Sequence, residues 1–360
     1  MSPRLSESFR AQARACGSLG SAMYADLLAR AADDLDQDGP TREVLRGYED
    51  SAGPSALALR LAGSVHRLVL ERRAGVLATY YPSVGGSWDA ESGWEAFRDL
   101  LAAEPEAVRE WLDRPPQTNE VGRSAALMAG LLTLTDALGD VPVRLVELGS
   151  SGGLNLLADR YRYRTADGRA VGPVDAPVTL SGAWVGDGPW TAPWPRLVER
   201  VATDVLPVDL TTTEGRLALT AYVWPDQAAR HERLRGALAA VARTPVPVRR
   251  AGAREVVDTL ELSEGCLTVL WHSVMWQYLD RSEQEAVRAG IDRLGAAATG
   301  RAPFAHLFLE PTRRTPESDH EFLVVLESWP AGARRVLATS RGHGLPTTWE
   351  GTSRSADSDG

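Results

Sequence analysis

The chain has 360 residues, of which 44% are hydrophobic and 24% are charged, and this balance is typical of a globular protein with a sizeable core. Its formal net charge of -9 excludes proteins that hold nucleic acid or an anionic membrane through a net basic surface. Arginine supplies all of the basic residues, and the absence of lysine excludes lysine Schiff-base enzymes and phosphate loops that end in Gly-Lys-Ser/Thr. We therefore expect a small-molecule partner, no nucleic acid and no membrane.

The cysteines and the apolar runs limit the class of protein further. Cys16 and Cys266 lie far apart, and the chain has neither a Cys-x-x-Cys pair nor histidines at metal-ligand spacing. We predict no disulfide framework and no metal site. The longest largely apolar run, 125–138, is too short to span a bilayer, and residues 1–10 lack the apolar core of a signal peptide. The expected location is cytoplasmic, and the oligomeric state stays open.

The first third of the chain has a helical pattern. Between residues 6 and 112, apolar residues recur every three or four positions, as in Leu57, Leu61, Val65 and Leu68. Turn-forming clusters separate these segments, at 36–40, 51–54 and 82–87. The pair Pro115-Pro116 ends the series. We predict an all-helical N-terminal domain over residues 1–116.

The rest of the chain alternates strand and helix patterns. A helical run at 123–138 is followed by short β-rich runs at 143–148, 200–205, 247–250, 267–271 and 306–309. Such alternation builds a parallel sheet that is covered by helices on both faces. Two last runs, 322–327 and 335–339, predict an antiparallel C-terminal hairpin. We therefore predict a Rossmann-like α/β domain over residues 117–350, followed by a disordered tail at 351–360 that is rich in Ser, Asp and Gly.

One segment interrupts the alternation. Residues 161–195 are rich in glycine and proline and contain Trp184, Trp190 and Trp194. A regular crossover does not have this composition. We expect an insertion that forms a hairpin or a lid near the cofactor face of the domain.

The segment that carries chemistry is residues 144–155, Arg-Leu-Val-Glu-Leu-Gly-Ser-Ser-Gly-Gly-Leu-Asn. It predicts a buried strand, a glycine-rich turn and a helix, an arrangement that lets the backbone approach a ligand and directs helix N–H groups at its polar atoms. Ser151 stands where a dinucleotide fingerprint has its second glycine, which disfavours a pyrophosphate site. A tight turn without a ligand is the alternative.

This segment resembles the first motif of class I S-adenosylmethionine-dependent methyltransferases, in which an acid precedes the first glycine by two residues. The resemblance implies a Rossmann-like methyltransferase domain with S-adenosylmethionine as cofactor. It also implies cofactor contacts from Glu147, Gly149, Ser151, Gly152, Gly153 and Asn155.

Two further segments resemble later parts of the same family. Residues 201–209, Val-Ala-Thr-Asp-Val-Leu-Pro-Val-Asp, resemble the second strand, which implies that Asp204 holds the ribose hydroxyls; two acceptor oxygens match two vicinal donors. The insertion lengthens the usual spacing, so Asp209 and Asp159 remain alternatives. By the same analogy Ala253, which follows the strand at 247–250, lies beside the adenine.

Residues 267–279, Leu-Thr-Val-Leu-Trp-His-Ser-Val-Met-Trp-Gln-Tyr-Leu, resemble the strand that lines the methyl-transfer site. This places His272 and Ser273 at the cofactor and Trp276 and Tyr278 at the substrate. His272 and Glu310, the acid that follows the strand at 306–309, are candidate catalytic bases.

Asn119 and Arg123, which precede the domain core, are candidates to line the substrate, and Arg123 suits a carboxylate or a phosphate. A purely structural role is the alternative for each of these residues and for His272.

Across residues 5–350 the chain resembles an uncharacterised bacterial domain-of-unknown-function family that is common in actinobacteria. The glycine turn and three other segments carry this resemblance, namely 117–124, 223–227 and 272–278. It implies the methyltransferase-like fold and no particular substrate.

Three functional hypotheses remain open. The first is a small-molecule methyltransferase, with the helical domain as substrate cover. The second is a cyclase or lyase on the same scaffold. The third is a non-catalytic nucleoside sensor or interaction protein.

Overall fold

The computed structural model describes residues 3–49 and 56–350. Within them the chain divides into two compact units. The first covers residues up to Thr118 together with Thr211–Glu232, and the second covers Asn119–Leu210 and the chain from Arg233 onward. The expected turn cluster at 51–54 and the expected disordered tail at 351–360 lie outside the described residues.

The first unit is built from helices, as the sequence predicts. Its helices are α1 (Pro3–Ser18), α2 (Ala22–Asp36), α3 (Pro40–Val44), α4 (Leu57–Leu70), α5 (Ser92–Ala103), α6 (Pro105–Arg109) and α8 (Thr213–Ala221). The periodic residues Leu57, Leu61, Val65 and Leu68 are at most 3% exposed and lie in one hydrophobic core. The helical spacing therefore marks the buried face of α4.

The segment Thr211–Glu232 completes this unit, although the sequence boundary at residue 116 leaves it in the second domain. It adds α8, and its Trp224 lies in the same hydrophobic core. Asp226 accepts hydrogen bonds from Ser21 Oγ at 2.7 Å and from Met23 N–H at 3.0 Å, at the start of α2. A distant segment thus supplies part of the core and fixes a helix N-terminus.

The strands of the second unit form one mixed sheet. They are β1 (Pro142–Leu148), β2 (Arg162–Thr165), β3 (Ala170–Val171), β4 (Thr179–Val185), β5 (Arg196–Asp204), β6 (Val248–Arg250), β7 (Leu267–Ser273), β8 (Phe304–Thr312), β9 (Glu321–Trp329), β10 (Ala333–Ser340) and β11 (Thr347–Trp349). Their order across the sheet is β3-β2-β4-β11-β10-β9-β8-β7-β1-β5-β6. The β-rich runs of the sequence all fall on strands of this sheet.

The sheet is mostly parallel. Strands β6, β5, β1, β7 and β8 pair in parallel, and β9 and β10 follow as antiparallel neighbours. This mixed α/β architecture, with helices at the N-terminus, confirms the coarse fold prediction. The buried central strands lack polar alternation because helices cover both of their faces.

Helices pack on the two faces of this sheet. They are α7 (Ser124–Leu138), α10 (Ala253–Thr259) and α11 (Arg281–Ala297), while α9 (Ala228–Arg243) has residues in both units. On one face, Gly130 of α7 leaves room for Leu307. On the other, Ile291 of α11 packs in a cluster with Leu270 and Phe304. Among the described residues, no helix combines the length and the apolar character needed to cross a bilayer.

The segment 161–195, for which a hairpin or a lid was expected, contributes strands to the sheet. Its β2 and β3 form an antiparallel pair, but β2 also pairs with β4, and β4 pairs with β11 at the opposite end of the sheet from β6. Trp184 is fully buried, with its ring centroid 4.8 Å from that of Tyr163 and 4.2 Å from that of Trp190. Burial of these rings explains why the segment extends the sheet.

Candidate functional site

The site lies in the second unit, at the carboxyl ends of adjacent parallel strands. Glu147 is the penultimate residue of β1, Asp204 is the last residue of β5, and His272 and Ser273 are the last two residues of β7. Glu310 lies one residue beyond Leu309, the last residue of β8 that pairs with β7. In open α/β sheets, ligands bind in the crevice at this edge.

The glycine turn after β1 depends on left-handed backbone conformations. Gly149 and Gly153 have φ angles of +68° and +76°, which cost a side chain about 1–2 kcal/mol. Ser151 adopts φ +54° without this freedom, so its conformation is strained. Asp204 Oδ2 accepts the Ser151 N–H at 2.8 Å, and Val208 N–H donates to Ser151 O at 3.0 Å. These bonds hold the strained residue in place.

Neighbouring bonds tie the turn to β5. Ser150 N–H donates to Thr203 O at 2.9 Å, and Thr203 N–H donates to Ser150 Oγ at 2.9 Å. Thr203 Oγ1 donates to Glu147 O at 2.8 Å. The turn is therefore rigid and brings the carboxyl ends of β1 and β5 together.

The helix expected after the turn is a 3-10 segment, Leu154–Arg160. The donors expected to face a ligand are engaged: Gly153 N–H donates to Ser150 O at 2.8 Å, and Leu154 N–H donates to Asn119 Oδ1 at 2.9 Å. That the N–H groups at the start of this helix face a ligand stays a prediction. The local glycine and polar pattern predicted a turn correctly, but it does not distinguish an α-helix from a short 3-10 segment.

Glu147 is the most perturbed acid of the site. The residue is 2% exposed, and its Oε1 accepts the Trp271 Nε1–H at 3.1 Å. Its Oε2 is buried without a hydrogen-bond partner among the described residues. Burial raises the pKa of this carboxyl to about 8, and the side-chain hydrogen bonds from Trp271 and Asn155 offset only part of that effect. At neutral pH this carboxyl is therefore mostly protonated, and its Oε2 has no hydrogen-bond partner among the described residues.

Asp204 lies across the turn from Glu147. Besides Ser151, it binds Leu206 N–H, which donates to Oδ1 at 2.8 Å. A carboxylate oxygen can accept two hydrogen bonds, so both oxygens of Asp204 keep capacity for a ligand. Asp209 and Asp159 were the alternative acids for the ribose hydroxyls. Asp209 is exposed, and Asp159 forms an ion pair with Arg200, whose NH2 lies 2.7 Å from the carboxylate.

His272 and Glu310, the two candidate bases, are in direct contact. His272 Nδ1 lies 2.8 Å from Glu310 Oε1, and the same oxygen accepts the N–H groups of Met275 at 3.0 Å and Trp276 at 3.3 Å. The two side chains are 2% and 5% exposed. Glu310 Oε2 is buried without a hydrogen-bond partner among the described residues.

Two residues that sequence reasoning missed extend this pair. His306 Nε2 lies 3.0 Å from His272 Nε2, and its Nδ1 lies 2.9 Å from Glu327 Oε2. Glu327 also accepts Arg288 NH1 at 2.7 Å. The signal was present in β8, because His306 and Glu310 lie four positions apart on one strand, and residues an even number of positions apart point to the same face of the sheet.

Three of the remaining predicted residues form hydrogen bonds to other groups of the protein. Arg123 is 8% exposed and donates to main-chain oxygens, from Nε to Gly342 O at 3.0 Å and from NH1 to Ser273 O at 3.3 Å. The structure thus shows a structural use of this guanidinium. Asn119 Oδ1 accepts a hydrogen bond from Leu154 N–H at 2.9 Å, and Asn155 Oδ1 accepts one from the Ser124 hydroxyl at 2.8 Å.

The other predicted residues differ in exposure. Ser273 is buried, and Ala253 begins α10 inside a hydrophobic cluster. Trp276 is partly buried and stacks on His272, with ring centroids 5.4 Å apart. Tyr278 is 47% exposed, so its side chain is accessible at this edge.

The site is rich in hydrogen-bond acceptors, from Asp204, Glu147 and Glu310. In the described ranges, no three His, Cys, Asp or Glu side chains are grouped so that they could hold a metal ion. Acceptor groups of this kind suit hydroxyl groups and cationic groups of a ligand.

Comparison with known proteins shows to which family this chain belongs. No curated protein and no solved structure matches the chain. Residues 6–349 match the family DUF2332, described as an uncharacterized protein conserved in bacteria. Because this match covers nearly the whole chain, the protein belongs to the DUF2332 family.

Proposed function

We propose that this protein is an S-adenosylmethionine-dependent methyltransferase that acts on a small molecule. The observation that carries the proposal is the pair of acids, Glu147 and Asp204, on either side of a rigid left-handed turn at the carboxyl ends of β1 and β5.

The strand order supports the proposal. The series β6-β5-β1-β7-β8 has the order 3-2-1-4-5 of a doubly wound Rossmann-like sheet when its strands are numbered along the chain. The topological switch point then lies between β1 and β7, which is where such sheets bind nucleoside cofactors. The glycine turn and His272 lie at this point.

The donor and acceptor groups fit the cofactor. Glu147 offers a buried oxygen, Oε2, that has no hydrogen-bond partner in the described part of the chain, and a cationic amino group there would favour ionisation of its carboxyl. Asp204 keeps acceptor capacity for two vicinal ribose hydroxyls. The engaged N–H groups of the turn leave few donors for a pyrophosphate, which favours this cofactor over a dinucleotide.

When bound, S-adenosylmethionine supplies an activated methyl group. The protein would position the acceptor and exclude water, and Glu310 would take a proton from it. The cytoplasmic location and the actinobacterial type of the family remain predictions.

A thermal-shift panel tests the proposal. We expect S-adenosylmethionine and S-adenosylhomocysteine to raise the unfolding temperature, and ATP and NAD to leave it unchanged. Asp204→Asn should weaken the shift, since it replaces one acceptor oxygen with a donor. The matched control is Asp140→Asn, an exposed acid near the amino end of β1 that pairs with Arg196. Equal shifts in both variants, or a shift with NAD alone, would contradict the proposal.

A further inference from the structure

One arginine of the first unit is buried without a partner. Arg60 lies in the first turn of α4 and is 9% exposed, and its guanidinium has no hydrogen bond and no ion pair among the described residues. A cation that leaves water without such a partner is strongly disfavoured. The first turn of a helix, which carries partial positive charge, adds to this effect and favours an anion. Such a position is typical of a group that binds an ion from solution.

A second arginine of α4 shows how the protein pairs a buried guanidinium elsewhere. Arg67 lies about two helical turns after Arg60 and is 3% exposed. Its NH2 donates to Ala107 O at 2.7 Å and to Glu110 Oε2 at 3.2 Å, and its NH1 donates to Glu71 Oε1 at 3.4 Å. These protein acceptors compensate the charge of Arg67. No equivalent acceptor serves Arg60 in the described part of the chain.

Tyr222, which follows α8, packs on α4 beside Arg60. Gly63 makes room for it, because a Cβ at this position would lie 2.6 Å from Cε1 of the Tyr222 ring. Residues three apart on a helix are neighbours on one face, so the ring lies next to Arg60. Tyr222 is 5% exposed, and its hydroxyl oxygen is buried without a hydrogen-bond partner among the described residues. The phenol is thus a second donor whose hydrogen bond is not made.

The unpartnered groups at this place are donors. They are Arg60 Nε, Arg67 Nε and the Tyr222 hydroxyl. Burial raises the pKa of Tyr222 to about 12, while the charges of Arg60, Arg114 and Arg67 act in the opposite direction, so the phenol keeps its hydrogen at neutral pH. A water molecule accepts such bonds but leaves the charge of Arg60 uncompensated. An anionic acceptor satisfies the donors and the charge together.

Neighbouring rings and acids do not take the place of this anion. The guanidinium carbon of Arg60 lies 5.4 Å from the centroid of the Tyr48 ring, a cation–π contact that leaves the N–H groups unbonded. The Tyr48 hydroxyl donates to Asp113 Oδ1 at 2.5 Å, and Glu214 lies 3.6 Å from Arg114. These acids therefore serve other groups.

The cluster is open to solvent. Although Nε of Arg60 is sealed from solvent, its NH1 and NH2 have no partner among the described residues and keep contact with water, as the 9% exposure of the residue requires. Tyr48 is only partly buried, and the side chain of Arg114 is 43% exposed. A small ion thus reaches the Arg60 guanidinium from solution.

We propose that Arg60 and Tyr222 form a binding site for a small oxyanion, a phosphate or carboxylate group, in the first unit. The guanidinium donates two parallel hydrogen bonds to two oxygens of such a group, and the Tyr222 hydroxyl donates a third. Chloride has a single centre and does not match this fork. The inference is independent of the proposed function, because both residues belong to the first unit.

Thermal unfolding of the full chain in a buffer free of oxyanions tests the site. Inorganic phosphate or acetate at millimolar concentration should raise the unfolding temperature more than sodium chloride of equal ionic strength does. In Arg60→Met this extra rise should disappear. The matched control is Arg46→Met, which removes the same charge from an arginine that is 72% exposed and paired with Glu43, and it should keep the rise. An intact protein that responds to chloride as strongly as to both oxyanions would overturn the proposal, as would an unchanged response in Arg60→Met.

The same variant distinguishes an anion site from a structural arginine. Without any oxyanion, Arg60→Met should unfold at the same temperature as the intact protein or at a higher one, because it replaces an uncompensated buried charge with an apolar side chain of similar size. A lower unfolding temperature under this condition would show that Arg60 serves the fold through its contact with Tyr48, and it would overturn the proposal.

Tyr222→Phe tests the second donor and keeps the ring that packs on Gly63. Calorimetric titration with phosphate or acetate, whichever gives the larger thermal shift, should show a Kd that is weaker by at least about tenfold than that of the intact protein, as expected for the loss of a hydrogen bond to a charged group. An unchanged Kd would remove Tyr222 from the site and overturn the proposal in this form.

Discussion

Glu147 links the electrostatics of the site to the stability of the protein. Its carboxyl is 2% exposed, and burial raises its pKa from 4.5 to about 8. A folded state with a raised pKa binds the proton more tightly than the unfolded state does. The stabilisation is therefore fully present below pH 4.5, and it is lost as the pH rises to about 8.

The substitution Glu147→Gln should remove this loss of stability at high pH. Glutamine has the shape of the neutral acid, and its oxygen can still accept the Trp271 N–H. We expect the variant to gain stability relative to the intact protein between pH 5 and pH 8.5, by up to a few kcal/mol at about 1.4 kcal/mol for each pKa unit. Urea unfolding at both pH values measures this gain. A variant whose stability difference from the intact protein is the same at both pH values would show that Glu147 has an ordinary pKa.

At the scale of elements, the turn after β1 combines a backbone requirement with a packing requirement. A side chain at Gly149 would need its φ of +68° and would place Cβ 3.2 Å from Met275 Cβ. Gly168, between β2 and β3, has φ +92°, and nothing lies within 4 Å of the same position. A comparison of alanine substitutions at the two glycines therefore distinguishes the cost of the left-handed backbone from the cost of steric crowding.

We predict that Gly168→Ala costs about 1–2 kcal/mol, the left-handed penalty alone, and that Gly149→Ala costs more. Gly149→Ala should also weaken cofactor binding, because Met275 N–H anchors Glu310 and would shift with the loop. Chemical denaturation and a thermal-shift titration give the two readouts. Equal costs in the two variants would mean that the loop around Met275 moves freely.

Some of these elements could be predicted from the sequence, and the way in which they pair could not. Strands such as β1 and β7 were predictable because an uninterrupted apolar run marks a strand covered on both faces. The pairing of β4 with β11 was not, because local composition does not specify a distant partner strand. Glu147 was found through the resemblance of residues 144–155 to a methyltransferase motif, and Glu310 by its position after a predicted strand. His306 was treated only as strand, since its contact with His272 depends on the pairing of β7 with β8.

At the scale of the whole molecule, the first unit is discontinuous in sequence. Its core includes Trp224, and His66 Nδ1 lies 3.0 Å from the carbonyl oxygen of Ala221. His66 is fully buried, and burial lowers its pKa to about 3, so it is neutral and depends on this contact. A fragment that ends at residue 118 lacks both Trp224 and Ala221.

We predict that such a fragment does not unfold cooperatively, although it contains most helices of the unit. In the full chain, Trp224→Ala should destabilise this unit by about 3–5 kcal/mol, as loss of a large buried aromatic does. Circular dichroism during thermal unfolding compares the fragment with the full chain. A sharp transition in the fragment would show that Thr211–Glu232 is dispensable for the unit.

In the function that we propose, the glycine turn after β1 binds S-adenosylmethionine. Calorimetric titration of the intact protein with this compound, beside Asp204→Asn and Asp140→Asn, tests it most directly. We predict one site per chain with a Kd in the micromolar range, which corresponds to about -8 kcal/mol. Binding should weaken in Asp204→Asn and stay unchanged in Asp140→Asn. Absence of heat at millimolar cofactor, or equal affinity in all three proteins, would contradict the account.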